Sequence, residues 1–180
     1  MVLMKNYAIA LGFKGKLYDN LIKAWQILEK KMNIKYISTR RSEPHIDIMA
    51  GSIQNVEKLF KILKKIKIKK FKIKSPGLGI LANNEPNLYI RWEQSAELLK
   101  IVNLINKRTS YLFYKIEKFI TSSLWIPRTT VAWKDLNYYD LNLIFRKVNF
   151  LFTNHYAVIN YIYLIDYTKT EIITHKIRLK

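Results

Sequence analysis

Two short stretches of the chain place side chains that could bind a phosphate or move a proton just after a proline. The first reads EPHIDIMA and contains His45 and Asp47; the second reads IPRTTVAW and contains Arg128 and Thr130. Both alternate apolar and polar residues, as half-buried strands do, so residues two apart lie on one face. His45 should therefore share a face with Asp47, and Arg128 should share one with Thr130.

The two stretches lie far apart in the chain, and each is followed by a helical pattern. This repeated order of a strand and then a helix predicts two similar lobes that face one cleft, each contributing one strand. The halves share no residue-level identity, so the duplication is predicted for the structure and not for the sequence.

The four side chains differ in the chemistry they can perform. His45 can transfer a proton near neutral pH, because imidazole titrates there. Thr130 can donate a hydrogen bond to a phosphate oxygen, and Arg128 can hold a phosphate with two parallel hydrogen bonds. Arg128 cannot act as an acid, because guanidinium stays protonated. Asp47 repels a phosphate when ionised, and its charge predicts an ion pair with Arg128 across the cleft.

These stretches resemble the signature of the 2H phosphoesterases, the family that includes 2′-5′ RNA ligases and cyclic-nucleotide phosphodiesterases. That family has two His-x-Thr/Ser motifs, commonly after proline, one from each lobe of a pseudo-symmetric fold. His45 matches the first histidine and Thr130 matches the second hydroxyl. Asp47 stands where Thr or Ser is expected, and Arg128 stands where the second histidine is expected.

The resemblance implies a fold and a set of roles. The fold is α+β, a single two-lobed, pseudo-symmetric domain over residues 1–180, with antiparallel sheets forming a central cleft and helices packed outside. His45 and Thr130 would be the catalytic residues, while Arg128 and Asp47 would contact the substrate. The implied reaction opens 2′,3′-cyclic phosphate ends or acts on 2′-5′ linkages, and it is weakened or altered by the two replacements.

Three further residues are candidates for substrate binding because of their position beside the two stretches. Arg40 and Arg41 end the segment before the first stretch and could bind phosphates, and Trp133 closes the second and could stack on a base. The resemblance also implies that donors on both sides of the phosphate, from the two motifs, meet its charge. No metal and no cofactor are therefore expected.

The charge of the chain indicates a polyanionic partner. Of its 180 residues, 32 are Lys or Arg and 13 are Asp or Glu, which gives a net charge of +19. Such a surface attracts RNA or nucleotide phosphates. Lys, Ile and Asn are abundant, as AT-rich coding sequences make them, so part of this charge need not be functional. Eight lysines within residues 61–74 suit either a phosphate-binding ridge or an ordinary solvated face with a protected edge strand.

Composition also narrows the class of protein. A hydrophobic content of 49% excludes a disordered chain, and the absence of cysteine excludes disulfides and thiolate metal sites. No apolar run is long enough to cross a bilayer, so we expect a soluble, monomeric protein of the cytoplasm or an organelle.

Two functions remain open from the sequence. One is an enzyme with feeble phosphodiesterase activity, and the other is a catalytically inactive RNA-binding or ribonucleoprotein component that uses the same cleft, which we expect to be basic. A protein of the membrane surface is a third possibility, but it lacks a supporting amphipathic helix.

The remaining pattern predicts the elements that position the two stretches. Strands are predicted at residues 6–12, 88–92, 160–166 and 171–179, with a hairpin turn at 168–170. Helices are predicted from residue 17 and after the capping residues Asn55, Ser95 and Asn137. Residues 34–41 are predicted to be extended, 75–79 and 83–87 to be turns, and 108–123 to hold a short helix.

Overall fold

The protein has an α+β fold in which the described strands pair in antiparallel fashion. The computed structural model describes residues 5–40, 43–117, 125–152, 155–169 and 171–180. The strands are β1 (Lys5–Lys14), β2 (His45–Ile53), β3 (Phe71–Ser75), β4 (Gly77–Leu81), β5 (Asn87–Arg91), β6 (Phe113–Ile116), β7 (Arg128–Ala132), β8 (His155–Asp166) and β9 (Ile172–Arg178). The α-helices are α1 (Lys16–Met32), α2 (Val56–Lys65), α3 (Ala96–Thr109) and α4 (Leu141–Val148).

Two sheets frame the molecule. The larger sheet has the strand order β3-β8-β1-β2-β6, and β9 pairs with β8 as well. Because β1 covers one edge of β8, strands β3 and β9 lie end to end along its other edge. The Lys70 amide donates to the Lys180 carbonyl at 2.9 Å, and the Lys180 amide donates to Ile68 at 3.2 Å. The smaller sheet has the order β4-β5-β7.

The two faces of the larger sheet differ in the size of their side chains. One face carries residues such as Ile9 and Leu11, which are fully buried in the main hydrophobic core with the helices. The other face carries Ala8, Ala10 and Gly12 on β1. At Gly12 a Cβ atom would lie 2.2 Å from the ring of Tyr163, so only glycine leaves room for that ring. These small residues leave room for a cleft.

Most predicted elements are confirmed. Strands β1, β2, β5, β7, β8 and β9 and helices α1 to α4 lie where the pattern indicates. Asn55 Oδ1 accepts from the Lys58 amide at 2.8 Å, and Ser95 Oγ accepts from the Leu98 amide at 3.2 Å, as predicted for the caps of α2 and α3. The predicted cap of α4 is wrong: Asp140 stands at the N-cap, and Asn137 Oδ1 accepts from the Asp140 amide at 3.0 Å in the turn before the helix.

Three predictions of the type of element are also wrong. Residues 34–41 are not extended in their described part, because the Thr39 hydroxyl bonds the Lys35 carbonyl at 2.8 Å and closes a turn of 3₁₀-helix at Ser38–Arg40. Residues 75–79 are not a turn, because β3 ends at Ser75 and β4 begins at Gly77, with only Pro76 between them. Gly77 has a φ of 134°, a conformation that suits glycine.

The third error concerns residues 108–123, where the pattern predicts a short helix. The described residues there form a 3₁₀ turn at Ser110–Leu112 and then strand β6, which pairs with β2 at the edge of the sheet. The predicted end of that helix, at residues 121–123, lies outside the described residues. Within the described ranges, no helix is both long and apolar enough to cross a membrane.

Candidate functional site

A cleft of about 440 Å³ collects the residues that the sequence singled out. The six described candidates all line it: Arg40, His45, Asp47, Arg128, Thr130 and Trp133. Arg41, the seventh candidate, lies outside the described residues. The two proline-led stretches therefore meet at one cleft, as predicted from their shared pattern.

His45 opens β2 and is held at both ring nitrogens. Its Nδ1 lies 2.7 Å from the backbone oxygen of Glu43, and a carbonyl there can only accept, so Nδ1 carries a proton. Its Nε2 lies 3.5 Å from Asp47 Oδ1 and 3.4 Å from Glu171 Oε1. The side chain is 15% exposed. The ring is thus fixed with Nε2 facing two carboxylates, an arrangement that suits an imidazolium ion.

The charges around His45 shift the pKa of both members of the His45–Asp47 pair. Burial alone would lower the pKa of His45, but the carboxylates of Asp47 and Glu171 outweigh it, and the pKa is raised above 6.5. Burial raises the pKa of Asp47, and Glu171 raises it further, whereas His45 and Arg128 lower it; the net change is upward. His45 therefore retains its proton at a pH where a free histidine would lose it.

The raised pKa predicts how His45 affects stability. A group whose pKa rises on folding binds protons more tightly in the native state, so its contribution is complete below the ordinary value of 6.5 and is lost as pH rises through the higher native pKa. The difference in free energy of unfolding between wild type and His45→Gln should therefore shrink as the pH rises from 6.5 through the raised native pKa of His45. Urea denaturation across this range measures it. His155→Gln, a histidine outside the cleft lining, is the control, and a wild-type advantage independent of pH would contradict the prediction.

Strand β7 supplies the opposite side of the cleft. All three residues of Arg128–Thr130 border the cleft, but Arg128 and Thr130 are half-buried, whereas Thr129 between them is buried, with 3% exposed. The Thr129 hydroxyl donates to the His45 carbonyl at 2.7 Å and accepts from Trp92 Nε1 at 2.9 Å. The strand alternation predicted from the sequence is confirmed, and Thr129 joins the two site strands directly.

The predicted ion pair between Asp47 and Arg128 is wrong. Between these two described residues there is no direct ion pair; Asp47 pairs with His45, two positions along the same strand. The Arg128 charge still acts on Asp47 through space and opposes the rise in its pKa. The physical reason is that strand alternation already brings the imidazole to Asp47 from the same face.

The loop before β2 forms a further wall of the cleft. Asp135 Oδ2 accepts from the amides of Lys35 and Tyr36, each at 2.7 Å, which fastens this loop to the one after β7. The ring of Tyr36 packs edge-on against Trp133 at 5.8 Å, and Arg40 bonds the Tyr36 hydroxyl. Arg40 and Trp133 are therefore brought to the same wall by this contact.

Glu43 and its partners hold His45 in position, and sequence reasoning missed them. The Tyr163 hydroxyl donates to Glu43 Oε2 at 2.7 Å, Lys176 Nζ lies 3.2 Å from both carboxylate oxygens, and Lys14 Nζ lies 3.7 Å away. Burial would raise the pKa of Glu43, but the hydrogen bonds from Tyr163 and Lys176 outweigh it and lower it. The anchored residue presents its carbonyl to His45. Its partners lie far along the chain, so no local pattern signals them.

The expectation of a basic cleft is wrong. Five carboxylates line it, from Glu43, Asp47, Glu85, Glu117 and Glu171, against the cations of Arg40, Arg128 and protonated His45. Lysines from outside the lining offset part of this charge: Lys14 and Lys176 meet Glu43, and Lys134 meets Glu85 at 2.8 Å. The net charge of +19 is thus carried mainly by other surfaces. Among the described residues, no group of His, Asp or Glu is arranged to hold a metal ion.

Comparison with solved structures places the fold. The chain is similar to E. coli LigT, a 2′-5′ RNA ligase of the 2H phosphoesterase family. Against the apo form, the TM-score is 0.60 with 8% identity over 98% of each chain. Against the 3′-AMP complex it is 0.59 with 10% identity over 99% of each chain, and against the ATP complex it is 0.55 with 10% identity over 99% of each chain. No family model and no curated protein matches the sequence. The similarity establishes a LigT-like, two-lobed fold.

Proposed function

We propose that the cleft binds a nucleotide phosphodiester, such as the 2′,3′-cyclic phosphate end of an RNA or a 2′-5′ linkage, and hydrolyses it only weakly. One observation carries the proposal: His45 from β2 and Arg128 with Thr130 from β7 line the same cleft, and the Thr129 hydroxyl ties their strands together at 2.7 Å. An imidazole, a guanidinium and a hydroxyl thus line a single cleft.

Binding follows from the donors of these three side chains. Arg128 offers a fork of N–H groups, Thr130 offers a hydroxyl, and protonated His45 offers Nε2–H. The indole of Trp133 offers a flat apolar surface for a base at the same cleft. The solved complexes of E. coli LigT with 3′-AMP, ATP and NADP+ support a nucleotide as the occupant of this fold.

Weak hydrolysis follows from the number of side chains in the cleft that can transfer a proton. Opening a cyclic phosphate needs one group to take a proton from the attacking water and another to give a proton to the leaving oxygen. His45, with its raised pKa, is suited to giving a proton. Arg128 cannot take one or give one, so the second role has no matching imidazole. Removing one general acid or base costs about 10²–10⁴ in rate.

Calorimetric titration with 3′-AMP tests the proposal. Arg128→Ala should weaken binding about 10- to 100-fold, because hydrogen bonds to a charged group contribute about 1.5–3 kcal/mol and 1.4 kcal/mol is tenfold in affinity. Arg108→Ala is the matched control, since Arg108 lies in the last turn of α3 and outside the cleft lining. Wild-type affinity in Arg128→Ala, or no binding by wild type, would refute the proposal.

A second candidate is a catalytically inactive RNA-binding component, favoured by the replacement of one proton-transfer residue by Arg128. His45→Ala separates the two. The enzyme loses its residual turnover of 2′,3′-cyclic AMP in this variant. The inactive component shows no turnover before or after the change, and its RNA binding keeps the same steep dependence on salt.

A further inference from the structure

A cluster of cations and tyrosines lies on the cleft side of the larger sheet, at the edge formed by β3 and β9. We call it the outer-edge patch, and its residues are Lys14, Lys72, Tyr156, Tyr161, Lys176 and Arg178. Lys72, Lys176 and Arg178 are exposed, and Tyr156 is 59% exposed. Lys14 and Lys176 also hold Glu43, whereas Lys72 and Arg178 have no part in the proposed cleft chemistry.

Cross-strand register connects the patch to the cleft. Two rows of paired residues cross the sheet from β9 through β8 and β1 to β2. One row is Arg178, Tyr161, Gly12 and His45, and the other is Lys176, Tyr163, Ala10 and Asp47. Paired residues in neighbouring strands project from the same face. The cations of β9 therefore lie on the face that carries His45, three strand spacings or about 14 Å away.

Strand β3 extends the same face. Lys72 pairs with Val158, and Val158 pairs in turn with Lys14 on β1. The alternate residues of β3, Phe71 and Ile73, are buried in the main core on the other side. Lys72 and Lys14 therefore project towards the cleft side, beside the β9 cations.

The patch combines the two features that bind single-stranded nucleic acid. Its cations can follow a phosphate backbone, and its aromatic rings can stack with bases of any sequence. Tyr156, which is 59% exposed, offers its ring to a base, whereas Tyr161 packs on the buried Tyr163 at 5.8 Å and against Lys176 Nζ at 4.3 Å. Glu43, which borders the patch, offsets one of the two charges of Lys176 and Lys14, so the four cations together still keep a net positive charge.

We infer that the outer-edge patch binds the nucleotides adjoining the phosphate held in the cleft, so that the ligand is a single-stranded RNA and not a mononucleotide. The inference rests on the proposed function for the position of the terminal phosphate. The acidic lining of the cleft is consistent with these separate roles. The cleft holds the terminal phosphate through a few specific donors, and the patch attracts the rest of the RNA backbone through its positive charge.

The test compares RNA length and patch charge by fluorescence anisotropy. Wild type should bind an eight-nucleotide RNA with a 3′-phosphate at least about tenfold more tightly than 3′-AMP, which is measured by competition. Lys72→Ala combined with Arg178→Ala should remove most of that advantage and leave 3′-AMP affinity unchanged. It should also reduce the slope of log K against log salt by about 1.4, since each single-strand phosphate contact contributes about 0.7.

The matched control is Lys100→Ala combined with Lys107→Ala, which removes the same charge from the exposed side of α3. Equal losses of octanucleotide affinity in both double variants would overturn the inference that the patch is a specific binding surface. Wild type binding the octanucleotide no more tightly than 3′-AMP would overturn it as well. Competition by phosphatidylserine vesicles as effective as by RNA would also overturn it. The patch variant could weaken octanucleotide binding while Arg128→Ala leaves 3′-AMP affinity unchanged. In that case the proposed cleft function fails, and the patch is not an extension of it.

Discussion

Turnover of 2′,3′-cyclic AMP is expected to rise about 10²–10⁴-fold when Asp47→Thr and Arg128→His are combined in one chain. The first change replaces a carboxylate by a hydroxyl that can donate to a phosphate oxygen. The second supplies an imidazole opposite His45, so that one ring can take a proton while the other gives one. Both new side chains occupy positions that already line the cleft. Initial rates from chromatographic separation of the products measure the change.

The same pair of substitutions in a His45→Ala background is the control. If catalysis needs both imidazoles, the gain should disappear there, although the introduced hydroxyl and the introduced imidazole are both still present. A wild type that matches the double variant in rate would contradict the explanation of the two replacements. The single change Arg128→His should give the larger share of the gain, because it restores a proton-transfer group and not just a donor.

Thr129→Val should lower the free energy of unfolding by about 1–3 kcal/mol for each buried polar group left unsatisfied. The substitution keeps the shape of the side chain but removes the hydroxyl that accepts from Trp92 and donates to His45. Trp92 is fully buried, so its N–H cannot turn to water. Each kcal/mol corresponds to about 2–4 °C in Tm for a chain of this size. Thermal unfolding followed by circular dichroism measures the loss.

Thr130→Val is the matched control, one residue along the same strand but facing the cleft. It should change stability by less than about 0.5 kcal/mol, as surface substitutions do, while weakening 3′-AMP binding. Equal destabilisation by the two valine variants would contradict the distinct roles assigned to neighbouring threonines. The pair thus separates the side chain that holds the two strands together from the one that faces the cleft.

Much of the site was accessible from the sequence because its parts follow local rules. Period-two alternation places His45 with Asp47 and Arg128 with Thr130, and this rule needs no knowledge of the partner strands. The repetition of the pattern predicts that the two strands meet, and the Thr129 bond to His45 joins residues 84 positions apart. The helix caps at Asn55 and Ser95 were predictable for the same reason, since they act over three residues.

The charges around the imidazole were not accessible in this way. Glu171 reaches His45 from the hairpin at the other end of the chain, and Glu43 is held by Tyr163, which is 120 positions away. Such contacts depend on which strands become neighbours, and composition does not report that. The overall charge of +19 for this reason misled the prediction of a basic cleft: an average over the surface says nothing about its distribution.

The order of strands in the larger sheet has a consequence for biosynthesis. Strand β1 precedes the other described strands of the sheet along the chain yet lies at the centre, and its neighbour β8 follows only after residue 154. Until then the nascent chain carries an unpaired strand edge beside a row of large apolar residues, the kind of surface that invites association between chains. We therefore expect the polypeptide to depend on chaperones during translation, and ribosome-bound fragments ending before β8 to be the aggregation-prone species.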